Sequence, residues 1–300
     1  MSLKQVKSKI ISTKKTGQVT KAMESVSAVK MRKSQERAFT SRPYVHSALR
    51  ILHRLADSRD GLSHKLSEKR ETGKQLLVLV TSDKGLAGSV NSAVLKRAEE
   101  NFKNNPDTDV IAIGRKALEF AKREGKEVLA EYTNIDDNVQ IDKVYEITQT
   151  IVDRFRDETY KSVAVIYQNF ISTFEQVPVK RHVLPIDPDD IFDVMRGIKP
   201  KVGKFSQDRL APESKVDYLI EPSTSEVLDV LIPQLVQVLI FHALLESKAS
   251  EHSARMVAMK NATDKSKEII KALTIKYNKA RQAAITAEVS EITAGVEAMK

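Results

Sequence analysis

At 300 residues with 41% hydrophobic content, the chain is long enough for one or two domains with a core. It has no cysteine, which excludes a disulfide framework, a thiolate metal site and a cysteine nucleophile; its opening, MSLKQVKSKIIS, holds no apolar run of signal-peptide length. The net charge of +9 is unevenly spread, +11 over residues 1–56, −3 over 57–223 and +1 over 224–300, so an anionic surface is expected opposite the N-terminal segment.

Residues 1–56 contain only Gly17 and Pro43 as breakers and read as one long helix. Counting sevens from Leu3 gives a seam of Leu3, Ile10, Gly17, Glu24, Met31, Ala38, Val45 and Leu52, with companions Val6, Thr13, Thr20, Ser27, Ser34, Ser41, Ala48 and Leu55. The ends of this seam are bulky and its middle is small and polar, so the helix is expected to approach its partner closely there. Residues 74–192 then alternate: LLVLVTS, DVIAIG and EVLAEY are strand-like, each followed by a helix-like stretch, and SVAVIYQNF and QVPVKRHVLPI finish as strands. That order predicts a Rossmann-like α/β domain with a mainly parallel sheet. Residues 193–222 read as a separate connecting segment, loop-like and rich in Lys, Gly and Pro up to 215.

Residues 223–300 read as a second long helix. From Gln234 to Ala294 there is neither Gly nor Pro, and a 3-4 seam runs Leu228, Leu231, Leu235, Val238, His242, Leu245, Ala249, His252, Met256, Met259, Thr263, Ser266, Ile270, Leu273, Tyr277, Ala280, Ala284 and Ala287. A repeat of 3.5 held this long predicts a left-handed coiled coil, and the partner within the chain is the N-terminal helix, lying antiparallel. Its most apolar window, Val227 to Leu245, is interrupted by Asp229, Pro233, Gln234, Gln237 and His242, so a soluble chain is expected rather than a membrane span.

No catalytic constellation emerges from the residues. The turn SDKGLAGSVNS (Ser82 to Ser92) stands between a strand and a helix, where phosphate loops sit, but the chain has no GxG and no GxxxxGK[ST]. Its glycines read as backbone geometry, with Asn91 or Ser89 capping the helix. No histidine pair has metal spacing; His242 and His252 lie on the seam, where polar residues fix register. Asp136-Asp137 and Asp189-Asp190 read as solvated turns. The basic helix has only Phe39 and Tyr44 as aromatics and its charges wind around it, which argues against a nucleic-acid site. On residues alone, a nucleotide-dependent α/β enzyme with a coiled-coil arm and a basic nucleic-acid binder both remain open.

Longer stretches are more specific. QVTKAMESVSAVKMRKSQ with RPY at Arg42 to Tyr44, SDKGLAGSVN, SEHSARMVAMKNATDKSKEII and YNKARQAAITAEVSEITAG resemble, in order and nearly end to end, the gamma-subunit family of F-type ATP synthases. The resemblance implies a central rotor shaft, not itself catalytic and without a cofactor, that couples ion flow through a membrane ring to ATP synthesis. It implies one copy per hetero-oligomer, with the alpha and beta subunits of the catalytic ring, the epsilon subunit and the membrane c-ring as partners, and no nucleic acid. The lack of a chloroplast-type cysteine insertion and of a mitochondrial presequence points to a bacterial subunit, peripheral on the cytoplasmic side of the plasma membrane. Carried over residue by residue, Lys21, Met23 and Arg255 are expected to meet the catalytic subunits' acidic loop. Arg281, Gln282 and Thr286 match the upper contact with a catalytic subunit, and Tyr218 and Glu221 the foot at the membrane ring.

Three geometric expectations follow. Facing residues of the two helices should have numbers adding to about 280, which sets Met23 near Arg255. Pro43 and Pro233 should bend their helices without ending them. The C-terminal helix, running from about Thr224 to Met299, should outrun its partner by about 30 Å of single helix.

Overall fold

A computed structural model describes residues 2–40, 51, 64–187, 221 and 223–299. The chain forms two compact units, one of residues 1–27 with 255–300 and one of residues 28–254. Helix α1 (Leu3–Thr40) and the last helix, Thr224–Ala298, each contribute to both.

In the unit of residues 28–254, α1 is followed by β1 (Lys74–Val80), α2 (Val90–Asn104), β2 (Thr108–Ile113), α3 (Arg115–Arg123), β3 (Val128–Tyr132), α4 (Ile141–Arg156), β4 (Tyr160–Phe170), β5 (Gln176–Leu184) and α5 (Thr224–Ala298). The strands lie in the order β3-β2-β1-β4-β5, the first four parallel and β5 antiparallel to β4. This is the mainly parallel sheet expected from the strand-helix alternation. A nine-residue edge strand carrying Pro178 closes it, and an edge strand is where a sheet tolerates a proline.

The strands β1 and β2 are buried on both faces, so they read as continuous apolar runs rather than alternating ones. Leu77, Leu79, Val110, Ala112, Ala164 and Ile166 face α2 and α3, meeting Val94, Phe102 and Phe120. The other face, Leu76, Val78, Ile111, Val163 and Val165, meets Ile147, Ile151 and Phe155 of α4 and a long row from the start of α5. Leu66, ahead of β1, is fully buried in that second core.

The membrane-like window of α5 is explained here. A stretch long and apolar enough to cross a membrane does occur within Thr224–Ala298. Its Leu228, Leu231, Ile232, Leu235, Val236, Leu239, Ile240, Ala243, Leu244 and Leu245 are core residues of the α/β unit. Pro233 lies inside the helix and does not end it; Pro43 lies outside the described residues.

In the unit of residues 1–27 with 255–300, the two helices run antiparallel. Thr20 Oγ1 lies 2.7 Å from Thr263 Oγ1, and a Cβ placed on Gly17 would lie 3.3 Å from Ser266 Cβ. Both pairs add to 283, three more than expected. Among residues 2–27 the buried and half-buried positions are Leu3, Val6, Ile10, Thr13, Gly17, Thr20, Glu24 and Ser27, all on the seam, and Met23. From 260 to 299 they are Thr263, Ser266, Ile270, Leu273, Tyr277, Ala280 and Ala284, again on the seam, and Ala262. Hydrophobic periodicity thus located the packed face, with the seam's last residue, Ala287, exposed.

Candidate functional site

The candidate contacts fall into three groups. Lys21 is exposed and its Nζ lies 3.0 Å from Glu24 Oε1 one turn on. A surface ion pair of this kind contributes little to stability and leaves the charge available to a partner. Met23 is half-buried and stands beside the seam. Facing numbers that add to 283 set it level with Lys260, about 7 Å along the axis from Arg255 at 1.5 Å per residue. Arg255 itself is only 8% exposed.

Arg281, Gln282 and Thr286 are exposed on α5, and Thr286 Oγ1 donates to the Gln282 carbonyl one turn back at 3.0 Å. They follow the point where α1 ends, since Leu3 is level with Ala280. From Ile285 to Met299 every residue is exposed. This tip carries a row of large apolar side chains, Ile285, Val289, Ile292, Val296 and Met299, each about half exposed or more. No expectation drawn from the sequence included this second row, which lies among the alanines Ala283, Ala284, Ala287, Ala294 and Ala298. Its signal is the unbroken 4-3-4-3 spacing, which places all five on one stripe.

At the foot, Tyr218 lies outside the described residues. Glu221 is exposed and borders a cleft of about 420 Å³ with Glu226, Val227, Val230, Leu231 and Gln234.

The turn after β1 uses its polar groups internally. Asp83 accepts from the backbone N–H of Arg115 through Oδ1 and of Asn134 through Oδ2, both at 3.0 Å, so it caps the start of α3 and ties it to the end of β3. Thr81 Oγ1 accepts from the N–H of Ala117 at 2.7 Å. The first backbone donors of α3 are therefore taken, those of Arg115 and Ala117 by side chains and that of Lys116 by the Ser82 carbonyl. Gly114 is required beside them: its φ is +91°, and a Cβ would lie 2.2 Å from the Thr81 carbonyl oxygen. Neither expected cap forms on α2. Ser89 makes no side-chain cap bond, and Asn91 instead exchanges hydrogen bonds with Ser82.

Asp137, read from sequence as a solvated turn residue, is instead a junction. His252 Nε2 of α5 donates to Oδ1 at 2.8 Å, Lys30 Nζ of α1 reaches Oδ2 at 2.6 Å and Lys248 Nζ stands 3.9 Å from Oδ1. These donors, His252 first, hold its carboxyl well below the usual carboxylate range. Around it Arg37 donates to the Asn138 carbonyl and Lys248 to that of Ile135. One loop thereby fastens α1 to α5. No sequence pattern signals this, because the partners lie over a hundred residues away. Among the described residues, no group of three or more His, Asp or Glu gathers as a metal-ligand set.

The chain is similar over its whole length to proteins of known kind. A family model described as ATP synthase matches residues 2–299. The ATP synthase gamma chain of Geotalea daltonii is 40% identical over 303 residues, covering 100% of this chain and 99% of that one. That of Heliobacterium modesticaldum is 36% identical, covering 99% of both. Among solved structures, a chain of the Euglena gracilis mitochondrial ATP synthase, in its OSCP/F1/c-ring assembly, aligns with TM-score 0.66 at 19% identity, over 99% of this chain and 94% of that one. A chain of the Tetrahymena thermophila mitochondrial ATP synthase central stalk and c-ring aligns with TM-score 0.60 at 24% identity, over 81% of this chain and 99% of that one. With an antiparallel helix pair, a mainly parallel sheet and end-to-end similarity to these relatives, the chain belongs to the ATP synthase gamma chain family.

Proposed function

We propose that the chain is the central rotor shaft of a bacterial F-type ATP synthase, with no catalytic centre of its own. It works as one copy in a complex with the alpha and beta subunits, the epsilon subunit and the membrane c-ring, peripheral on the cytoplasmic side of the plasma membrane. The observation that carries this reading is the helix pair of residues 1–27 and 255–300. Its seam is small enough for close backbone approach at Gly17, and it continues into a single exposed helix. A shaft that turns inside a ring must be narrow, and torque must pass along unbroken elements; α1 and α5 are such elements.

In this reading Lys21 and Met23 present a charge and a soft apolar surface to an acidic loop of the catalytic ring, drawn by long-range attraction. Arg255, largely covered within the chain, holds its helix in place at the same contact. Arg281, Gln282 and Thr286 grip the ring where the second helix ends, and Tyr218 and Glu221 serve the foot at the c-ring. The tip stripe from Ile285 to Met299 seats against an apolar surface, because an isolated helix of this length is marginal in water.

Purification of the intact complex through a tag on this chain tests the reading: ATP synthase subunits should co-purify in fixed ratio with one copy of the chain. Joint replacement of Gln282 and Thr286 by Ala should then lower assembly and coupled synthesis together. A chain that purifies alone from membranes, or a double variant with normal synthesis, would count against the role or the grip respectively.

A further inference from the structure

The middle of the helix pair poses a physical difficulty. Two long helices meeting through Gly17, Thr20 and Ser27 on one side and Thr263 and Ser266 on the other have few large knobs to oppose sliding. When the facing numbers add to 283, every seam residue of α1 from Leu3 to Ser27 faces a seam residue of α5, from Ala280 back to Met256. A slip of one heptad either way, to 276 or 290, also sets seam on seam. Apolar burial alone therefore discriminates these registers weakly.

Apart from the Asp137 junction that also fastens α1 to α5, two contacts within residues 1–27 and 255–300 discriminate them. Thr20 Oγ1 and Thr263 Oγ1 are 2.7 Å apart in a buried position. Each hydroxyl also reaches a carbonyl of its own helix, Thr20 that of Gly17 at 3.1 Å and Thr263 that of Met259 at 2.9 Å. Whichever hydroxyl donates across the interface, the other donates to its own carbonyl, so both protons are used. A heptad slip would set Thr20 against Ile270 or Met256, which offer no hydroxyl. Directly beside the pair, Gly17 admits Ser266 so closely that a Cβ at position 17 would lie 3.3 Å from Ser266 Cβ, tighter than an ordinary contact. Slipped registers set Gly17 against Leu273 or Met259 and lose that close fit.

We propose that Thr20 and Thr263, seated by the Gly17–Ser266 contact, are the register lock of the helix pair: positioning residues that make the two helices turn as one body. The lock rests on the shaft reading only for its consequence, coupled rotation; the register itself is a property of the helix pair. Thr20→Val with Thr263→Val removes both hydroxyls and keeps their shape. Replacing both partners of a buried hydrogen bond in this way leaves stability nearly unchanged, whereas the specificity that a polar pair confers on a coiled coil is lost.

The chain contains no cysteine, so introduced pairs report register cleanly. Ile10→Cys with Leu273→Cys reads 283, with Ser266→Cys it reads 276, and with Ala280→Cys it reads 290. In complexes carrying wild-type Thr20 and Thr263, oxidation should close the first pair only. In the double Val variant, a cross-link in one of the other two should rise at least fivefold, about 1 kcal/mol of lost discrimination. Helix content and melting temperature should be unchanged. In membrane vesicles the same variant should keep ATP hydrolysis and lose about half of its ATP-driven ion pumping, and the Ile10–Leu273 disulfide should restore the pumping. A double Val variant that cross-links only at 283 would overturn the lock. A slipped register with unimpaired pumping would leave the lock standing and overturn its link to rotation.

Discussion

The first and last parts of α5 belong to one unbroken helix and are built on opposite principles. From Leu228 to Arg255 most positions are buried, and the row from Leu228 to Leu245 forms part of the sheet's core. From Lys260 onward burial shrinks to a stripe of seam residues, and beyond Ala284 it ceases. The same helical backbone is thus a core element, then a coiled-coil strand, then a bare rod. What changes is the width of its apolar face: nearly all round, then one seam, then one exposed row. Pro233 sits in the first part, where core packing can offset a broken backbone hydrogen bond of about 3 kcal/mol. The bare rod contains no proline.

The largest effect that would test this contrast comes from one substitution made in each part. Ile240 is fully buried and Ile275 is 62% exposed. Ile240→Ala should destabilise the chain by about 2–5 kcal/mol through lost burial and a residual cavity. Ile275→Ala should stay within about 0.5 kcal/mol of wild type. Urea unfolding of the purified chain measures both. Equal losses would mean that the exposed stretch of α5 packs against something within the chain, and the contrast would fail.

A smaller effect belongs to the junction where the first part of α5 is fastened. Asp137 binds His252, Lys248 and Lys30, and its folded-state pKa lies below the unfolded value. Its contribution is therefore complete above the ordinary carboxylate range and is lost as pH falls below about 5. Asp137→Asn should cost roughly 1 kcal/mol near neutral pH, discounted because solvent reaches the half-exposed carboxylate. The gap between wild type and variant should begin to narrow below about pH 4 and keep narrowing below pH 3, because the folded-state pKa lies well under the usual range. A gap of constant size from pH 7 to pH 2 would show that the carboxylate's charge has no part in the fastening.

The legible part of this molecule is the part governed by local periodicity. The seams of α1 and α5 matched the covered positions because a 3-4 repeat is a property of neighbouring residues. The strands of the sheet, with their short apolar runs, were readable for the same reason. Asp137 and Asp83 were not. Each acts by binding groups far away in sequence, and an Asp in a turn carries no mark of whether its oxygens meet water, a lysine or a helix start. The register differs from the expected one by three residues, because a 3.5 repeat marks which face packs but not which residue of the partner each position meets. The contact residues were named by family resemblance alone. Their exposures differ widely, from Arg255 at 8% to the freely exposed Gln282, and no periodicity distinguishes them from their neighbours.

The smallest expected effect lies at the tip, and its smallness is informative. Truncation after Thr293 removes only exposed residues, so the stability of the isolated chain should shift by no more than about 0.5 kcal/mol. It deletes Val296 and Met299 but spares Ile285, Val289 and Ile292, so most of the apolar stripe remains for a partner surface. Assembly and coupled synthesis should be largely retained. Replacing Ile285 and Ile292 by Ser keeps the length, removes both isoleucines of the stripe and should weaken assembly more than the truncation does, again without destabilising the isolated chain. The tip is a bearing if side-chain chemistry outweighs length in this way. If the truncation abolished assembly while the Ser variant assembled normally, reach rather than apolar contact would be what the complex needs from this helix, and the stripe would have no part in seating it.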